Sequence, residues 1–187
     1  KNDSKFNNLT ENTMEILFKA NSFPNTLNTL MGIESNYLLR IGDATIPNNQ
    51  LQVATSVNNC TSADLQLESG KWYHVAVAFN KGNVKVYING VEKLSGSTGK
   101  SSVSLGAKHT NEEDGSRCFW VGYSYKDDRY FDGVVSEVRI WNRALTAEEI
   151  QATNHFYTIE PESEGLIAYW KFDEGSGTVA KDYSVSG

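Results

Sequence analysis

The stretch from residue 72 to 91 constrains the fold of this chain more than any other. Residues 72–79 (WYHVAVAF) are a β-branched and aromatic run, and residues 84–88 (VKVYI) alternate apolar with polar side chains. The tetrapeptide NKGN separates the two runs, and Asn89-Gly90 follows the second. Alternation with a period of two is typical of half-buried strands, and Asn-Gly readily adopts the positive φ angles of a tight hairpin turn. The stretch therefore predicts two consecutive antiparallel hairpins.

The alternation also predicts which side chains face a core. In the second run we expect Lys85 and Tyr87 to face water and the aliphatic residues to face inward (Val84, Val86 and Ile88). Residues 14–20 alternate in the same way. That pattern predicts Glu15 and Lys19 on the outward face and the apolar residues inward (Met14, Ile16, Phe18 and Ala20).

Strand-like runs recur along the chain between loops rich in Gly, Pro, Asn and Asp. They cover residues 29–33, 37–41, 51–55, 103–105, 119–123 and 134–141. Residues 47–49 (PNN) are predicted to be a break, and residues 60–70 a connection. Thr146 and Glu149 are spaced as in a capping box, whose hydroxyl and carboxylate satisfy backbone donors of a first helical turn, so a short helix is predicted near 146–154. Short strands with one short helix predict an all-β fold, a two-sheet antiparallel β-sandwich or jelly roll.

Length, apolar runs and net charge exclude some classes of protein. A chain of 187 residues is long enough for one domain with a sizeable core. The longest apolar runs fall well short of the roughly 20 residues of a membrane span, so no membrane insertion is expected. The net charge of −6 and the scattered basic residues argue against a nucleic-acid partner, because such proteins bind phosphates through clustered Lys and Arg.

Four motifs in the second half of the chain carry a family resemblance. They are residues 72–77 (WYHVAV), 86–90 (VYING), 130–133 (YFDG) and 136–146 (SEVRIWNRALT). In order and spacing they resemble laminin G-like domains of the concanavalin A-like lectin/glucanase superfamily. The resemblance implies a jelly roll in an extracytoplasmic setting (secreted, cell-surface or periplasmic), often as an accessory module of glycan-handling or adhesion proteins. The sequence starts at Lys1 without Met, as expected of a processed chain.

Residues 165–177 (GLIAYWKFDEGSG) resemble the segment that commonly opens such domains, yet they lie near the end of this sequence. Either they complete the same sandwich or they begin a second copy. An orphan strand would expose an apolar stripe and an unpaired edge, which favours the first alternative. We therefore expect a single domain over 1–187, with 165–187 as its closing strand and rim segment.

The sequence lacks the catalytic pattern of the glucanase branch. Those enzymes carry carboxylates at alternate positions of one strand, which places the acid and the nucleophile in one cleft. Glu137 instead has Ser136 and Val138 beside it, and Glu15 shares its face with Lys19. His74, inside a predicted strand, is interpreted as a satisfied sheet residue. The prediction is that the chain is not an enzyme.

Sugar binding requires exposed aromatic faces next to polar groups. Trp72 and Trp170 fall in strand patterns and are predicted to be core residues. Trp120 is out of phase with its neighbours and is predicted to face outward. It forms the candidate ligand-binding set with residues of the following loop (Tyr125, Asp127, Asp128 and Tyr130). The alternative is that these aromatic residues simply cover one end of the sandwich.

Acidic loops flank the strand that carries Trp120. Carboxylates of this kind suit Ca²⁺, which takes several oxygen ligands, and the candidate ligands are Glu113, Asp114, Asp127 and Asp128. A solvated acidic rim is the alternative. Cys60 and Cys118 each lie ahead of a predicted strand, so they could meet at one rim of the sandwich, and they lack the spacing of a zinc site. A disulfide between them and two unrelated thiols remain equally open.

The function expected from the resemblance is carbohydrate recognition without catalysis. A protein-interaction or adhesion module and a glycoside hydrolase with an unrecognised site are the alternatives. The expected partner is thus a glycan or an extracellular protein, with no cofactor other than the calcium considered above.

Overall fold

A computed structural model describes residues 4–34, 36–56, 59–106, 119–124, 127–152, 155 and 159–186, with the backbone alone for residues 56, 59–64 and 127. Its strands are β1 (Glu11–Ala20), β2 (Asn28–Ile33), β3 (Tyr37–Asp43), β4 (Ile46–Ser56), β5 (Asn59–Gln66), β6 (Trp72–Asn80), β7 (Asn83–Ile88), β8 (Val91–Ser97), β9 (Trp120–Val121), β10 (Gly133–Trp141) and β11 (Leu166–Trp170). One α-helix, α1 (Ala147–Gln151), and two 3-10 turns, Ser4–Phe6 and Asp127–Arg129, complete the described elements. None of the described helices is long and apolar enough to cross a membrane.

The strands form two antiparallel sheets, which confirms the predicted β-sandwich. The six-stranded sheet has the order β11-β10-β1-β6-β7-β8, and the five-stranded sheet has the order β5-β4-β3-β2-β9. Side chains of both sheets meet in one main core. From β1 it takes Met14, Ile16 and Phe18, and Ala20, the fourth residue that the sequence predicts to face inward, is fully buried as well.

The two predicted hairpins lie at the centre of the six-stranded sheet. β6 pairs with β7, and β7 pairs with β8. Lys81 and Gly82 have φ angles of 46° and 95° in the first turn, and Asn89 and Gly90 have 50° and 77° in the second. These are the left-handed conformations that two-residue hairpin turns require.

The segment near the end of the chain joins the same sheet. β11 pairs antiparallel with β10, Arg139 lying opposite Tyr169 and Ile140 opposite Ala168. It forms an edge of the six-stranded sheet, and its apolar side chains are buried there. The pairing places β11 where the first alternative for residues 165–177 requires it.

A second apolar cluster covers part of the outer side of the six-stranded sheet. It joins sheet residues to α1 and its flanks (Ala76, Ala78, Tyr87, Trp141, Leu145, Ile150, Leu166 and Tyr169). The prediction that Tyr87 and Glu15 face water is therefore wrong: both point to the outer side, as their phase requires, but both are buried there. Trp141 packs under α1 in the same cluster.

Several boundaries also differ from the sequence-based expectation. β4 includes the PNN segment at 47–49, because a proline is tolerated near the start of a strand. β5 occupies most of the expected connection at 60–70 and pairs with β4. β9 has two residues where five are predicted, and α1 ends at Gln151. Trp72 is 46% exposed and is not a core residue, because it opens β6 on the outer side, opposite Lys19.

Candidate functional site

Trp120 lies at an edge of the five-stranded sheet. Its neighbours Phe119 and Val121 pack against the main core, so the period of two directs Trp120 to the opposite, outer side. Register places it beside Gly32, and Gly32 beside Leu38. The residue opposite Trp120 on β2 therefore has no side chain. Trp120 is only partly buried, as the sequence predicts.

Gly32 cannot be replaced without moving the backbone. It has a φ of 126°, and a Cβ built on it would lie 2.3 Å from the carbonyl oxygen of Tyr37. This close contact between Gly32 and the backbone of Tyr37 is consequently built into the β2–β3 hairpin. Tyr123 contacts the indole edge-on, with ring centroids 5.4 Å apart.

A network of charged side chains lies on the same sheet. Arg129 Nη1 is 2.9 Å from Glu34 Oε1, and Arg40 Nη1 is 3.9 Å from the same oxygen. Arg40 also contacts Asp43 and donates through Nε to Gln52 Oε1 at 2.7 Å. Arg40 and Arg129 therefore share the carboxylate of Glu34. It anchors the 3-10 turn 127–129 to the five-stranded sheet.

Only part of the predicted ligand-binding set can be placed. Asp128 has a side chain that is 76% exposed and lies 3.9 Å from Arg129 Nε. Tyr130 is 42% exposed, and its carbonyl accepts a hydrogen bond from Asn25 Nδ2. Tyr125 and the side chain of Asp127 lie outside the described residues. The structure thus places Asp128 beside Arg129, and the binding role of the set remains a prediction.

The predicted calcium ligands and disulfide stay untested. Glu113, Asp114 and Cys118 lie outside the described residues, as does the side chain of Cys60. Asp128, the one predicted calcium ligand with a described side chain, is already close to a guanidinium.

A second cluster of polar side chains is buried on the outer side of the six-stranded sheet. Glu15 of β1 lies between two histidines, with Oε1 2.5 Å from His155 Nε2 and 3.1 Å from His74 Nε2. Its other oxygen, Oε2, accepts from Trp141 Nε1 at 2.7 Å. Burial alone raises the pKa of Glu15, but the hydrogen bonds and charge of His155 and His74 outweigh it and hold that pKa well below its usual range.

Arg139 connects this group to the edge of the sheet. Its Nη1 lies 4.0 Å from Glu15 Oε2 and donates to the carbonyl of His155 at 2.7 Å. Its Nη2 contacts Glu137, whose carboxylate also accepts from the Tyr169 hydroxyl at 3.1 Å. His74 is therefore a buried sheet residue with a carboxylate neighbour, in line with its sequence-based interpretation.

The family profile described as "Concanavalin A-like lectin/glucanases superfamily" matches residues 2–151. The chain belongs to the concanavalin A-like lectin/glucanase superfamily. The match includes all four motifs that suggest laminin G-like domains, and the two-sheet architecture agrees with it.

Solved structures extend the likeness of this lectin/glucanase domain beyond the profile. A candidate carbohydrate-binding protein from Bacteroides ovatus is 29% identical, with a TM-score of 0.77 over 94% of this chain and 50% of the other. Domain 4 of AbnA, an extracellular GH43 arabinanase from Geobacillus stearothermophilus bound to arabinotriose, is 24% identical with a TM-score of 0.59, covering 79% and 68% of the two chains. The latter shows the fold alone.

Among curated proteins, human adhesion G-protein coupled receptor D1 is 34% identical over 85 residues, which are 42% of this chain and 8% of the receptor. The chain thus spans a small part of that receptor and half of the Bacteroides structure.

Sequence reasoning missed both polar groups of this lectin/glucanase domain. Arg40 interrupts the apolar run of β3, which is a signal that a charge lies on a sheet face. Glu15, His74 and His155 are far apart in the chain and meet only because β1 pairs with β6 and the segment after α1 folds back over them. Pairing of that kind is not visible in a single sequence.

Proposed function

We propose that this domain is a non-catalytic, extracytoplasmic carbohydrate-binding module that takes its ligand at the β9 edge of the five-stranded sheet. Trp120 would stack against a sugar ring, and Arg129 and Asp128 would bind hydroxyl groups. Tyr125, Asp127 and Tyr130 would extend the same surface along the following loop.

The observation that carries the proposal is the position of Trp120. A partly exposed indole beside the bare backbone of Gly32 offers an apolar face at the edge of the five-stranded sheet. Glu34, two residues after Gly32, pairs with Arg129 and holds its guanidinium in a fixed position. Sugar sites combine these two features, an aromatic platform and rigid polar neighbours. The likeness to the Bacteroides protein, which is itself a candidate carbohydrate-binding protein, supports the same ligand class.

Calcium is a separate part of the proposal. Glu113, Asp114, Asp127 and Asp128 supply the oxygen ligands that Ca²⁺ prefers, and they belong to the loops on either side of β9. An ion there would order the loops around Trp120 without taking part in any reaction.

A glycan-array screen of the purified chain, run with calcium and again with EDTA, tests the function. We expect binding to at least one glycan class, lost in Trp120→Ala and kept in Trp72→Ala. Trp72 is a matched control because it is an exposed tryptophan on the other sheet. A silent array, or equal loss in the two variants, would contradict the proposed site. Loss on chelation would support the calcium ligands, and unchanged binding would exclude them from the site.

A second candidate function is protein interaction or adhesion, and the outer side of the six-stranded sheet favours it. Trp72 and Val134 are each 46% exposed, and both lie opposite Lys19, so they form one patch across β6, β1 and β10. Exposed apolar patches of this kind mark interaction surfaces. On an array of extracellular proteins, binding that disappears in Trp72→Ala and persists in Trp120→Ala would establish this function instead.

A further inference from the structure

Three potential metal ligands converge in the buried group beneath α1. Glu15 Oε1, His74 Nε2 and His155 Nε2 all lie within 4.8 Å of one another. They come from β1, from β6 and from the segment that follows α1. Within the described part of the chain, this is the one group of three or more His, Cys, Asp or Glu side chains that meets in this way.

The spacing is close to that of a tetrahedral metal site. Bonds of about 2.0–2.2 Å to a tetrahedral ion place two ligand atoms about 3.3 Å apart. Glu15 Oε1 and His74 Nε2 are 3.1 Å apart already. His155 Nε2, now 2.5 Å from the same oxygen, needs to move outward by less than about 1 Å.

The surroundings of Glu15 match those of a ligating carboxylate. Its two oxygens have different partners, because Trp141 Nε1 donates to Oε2 and both imidazoles face Oε1. Ligating carboxylates are commonly held by such an outer hydrogen bond. Arg139 approaches Oε2, so the cation lies on the side away from the proposed ion.

We propose that Glu15, His74 and His155 bind a divalent transition-metal ion, for which zinc is the best match. Two imidazole nitrogens and one carboxylate oxygen form a ligand set that zinc uses in proteins, and imidazole favours Zn²⁺ over the oxygen-seeking Ca²⁺ and Mg²⁺. The chain supplies three ligands, so a water molecule would complete a four-coordinate site, and the burial of all three residues favours a structural role for the ion. It would fasten the segment after α1 to the outer side of the six-stranded sheet.

The competing arrangement of the same atoms is a metal-free one, in which each Nε2 carries a proton and donates to Glu15. Metal analysis separates the two. The full chain, without an affinity tag and dialysed against EDTA, is titrated with Zn²⁺ by calorimetry, and its thermal midpoint is measured with and without the ion. We expect one ion per chain and a higher midpoint with zinc, because an ion that binds the folded state alone stabilises it.

His155→Gln is the diagnostic variant, and His109→Gln, which removes the histidine outside this group, is its control. We expect His155→Gln to weaken zinc binding by at least about 100-fold, the upper end of the loss caused by removing an outer-shell partner. His109→Gln should bind as the unaltered chain does. Zinc binding that survives in His155→Gln would overturn the proposal.

A spectroscopic measurement keeps the test independent of any variant's ability to fold. Co²⁺ added to the unaltered, EDTA-treated chain should give the intense visible absorption of a four-coordinate site. The weak spectrum of hydrated cobalt, or no stoichiometric binding of Zn²⁺, would refute the site. Glycan binding is measured separately, so either result leaves the proposed function to its own test.

Discussion

The carboxylate of Glu15 has almost no access to solvent. The cost of burying its charge is therefore offset only by the groups around it. His155, His74 and Trp141 all contact it. Glu15→Gln keeps the shape but puts an amide N–H against donors. We expect a loss of about 3–5 kcal/mol in the free energy of unfolding, as for a buried charge pair that loses one member. Urea unfolding in EDTA measures it without any contribution from metal.

Glu11→Gln is the matched control for that measurement. Glu11 lies on the same strand, but its side chain is partly exposed and 4.0 Å from Lys81 Nζ. Exposed substitutions of this kind change stability by about 0.5 kcal/mol or less. Similar losses in the two variants would show that the buried group contributes little.

Single residues also show where sequence patterns stop being informative. The alternation in β1 and β7 assigns Glu15 and Tyr87 to the correct side of the sheet. It does not reveal that α1 packs in the same cluster as Tyr87. Nor does it reveal that His155, which follows α1, contacts Glu15. Trp72 fails in the opposite sense: it lies on the outer side of β6, where it stays 46% exposed with the Lys19 amino group over its ring. The side of the sheet that a residue faces follows from backbone geometry, whereas its burial depends on residues distant in the chain.

Among the elements, the β6–β7 turn allows the cost of a left-handed backbone to be separated from the cost of a steric clash. Gly82 and Gly70 both have positive φ, at 95° and 77°. A Cβ on Gly82 would lie 2.6 Å from the carbonyl oxygen of Lys100, whereas one on Gly70 would have nothing within 4 Å. Both alanine variants carry the left-handed penalty of about 1–2 kcal/mol. Gly82→Ala should lose about 1–3 kcal/mol more through overpacking, and equal midpoints in urea would contradict this.

The helix α1 is held at its first turn by a charge that depends on pH. Arg143 donates to both carboxylate oxygens of Glu149, at 3.0 and 2.8 Å, and the capping box with Thr146 is complete. The hydrogen bond from Arg143 is the main reason that the pKa of Glu149 is lowered from 4.5. A lowered pKa stabilises the folded state above the usual value, and this stability is lost as the pH falls below it.

Glu149→Gln tests that linkage. The variant should be less stable than the unaltered chain at pH 7, and the gap should close as the pH falls below about 4.5. Glu162→Gln, at an exposed position, is the control and should show little gap at either pH. A gap for Glu149→Gln that stays constant from pH 7 to pH 3 would mean that the carboxylate charge is not what holds the helix.

The elements that sequence predicts best are those with a local cause. The hairpin turns and the capping box each depend on residues within four positions of one another, and the structure confirms them. β5 has no alternating apolar pattern, and its pairing with β4 relies on backbone hydrogen bonds that most residues can make. β9 is short because Gly122 leaves the extended conformation, with a φ of 71°, directly after Val121.

At the scale of the whole molecule, family resemblance predicts the sandwich more completely than it predicts the site. The four motifs build strands and turns of the scaffold, so they identify the fold wherever they occur. Trp120, in contrast, is recognised from its phase alone, and the network of Glu34, Arg40 and Arg129 forms only when the 3-10 turn 127–129 reaches the five-stranded sheet. The site is thus a product of tertiary structure.

The single-domain expectation leads to a test with two truncated chains. β11 covers the edge of β10, and its residues Ile167 and Ala168 enter the main core. A chain of residues 1–164 would lose these contacts and expose the edge of β10, so we expect aggregation or loss of cooperative unfolding. A chain of residues 1–172 keeps β11 and loses the bridge between Trp170 and Asp182, so it should unfold cooperatively with a modest loss of stability. If residues 1–164 unfold at the same urea concentration as the full chain, β11 belongs to a separate folding unit, and the second-copy alternative replaces the closing strand.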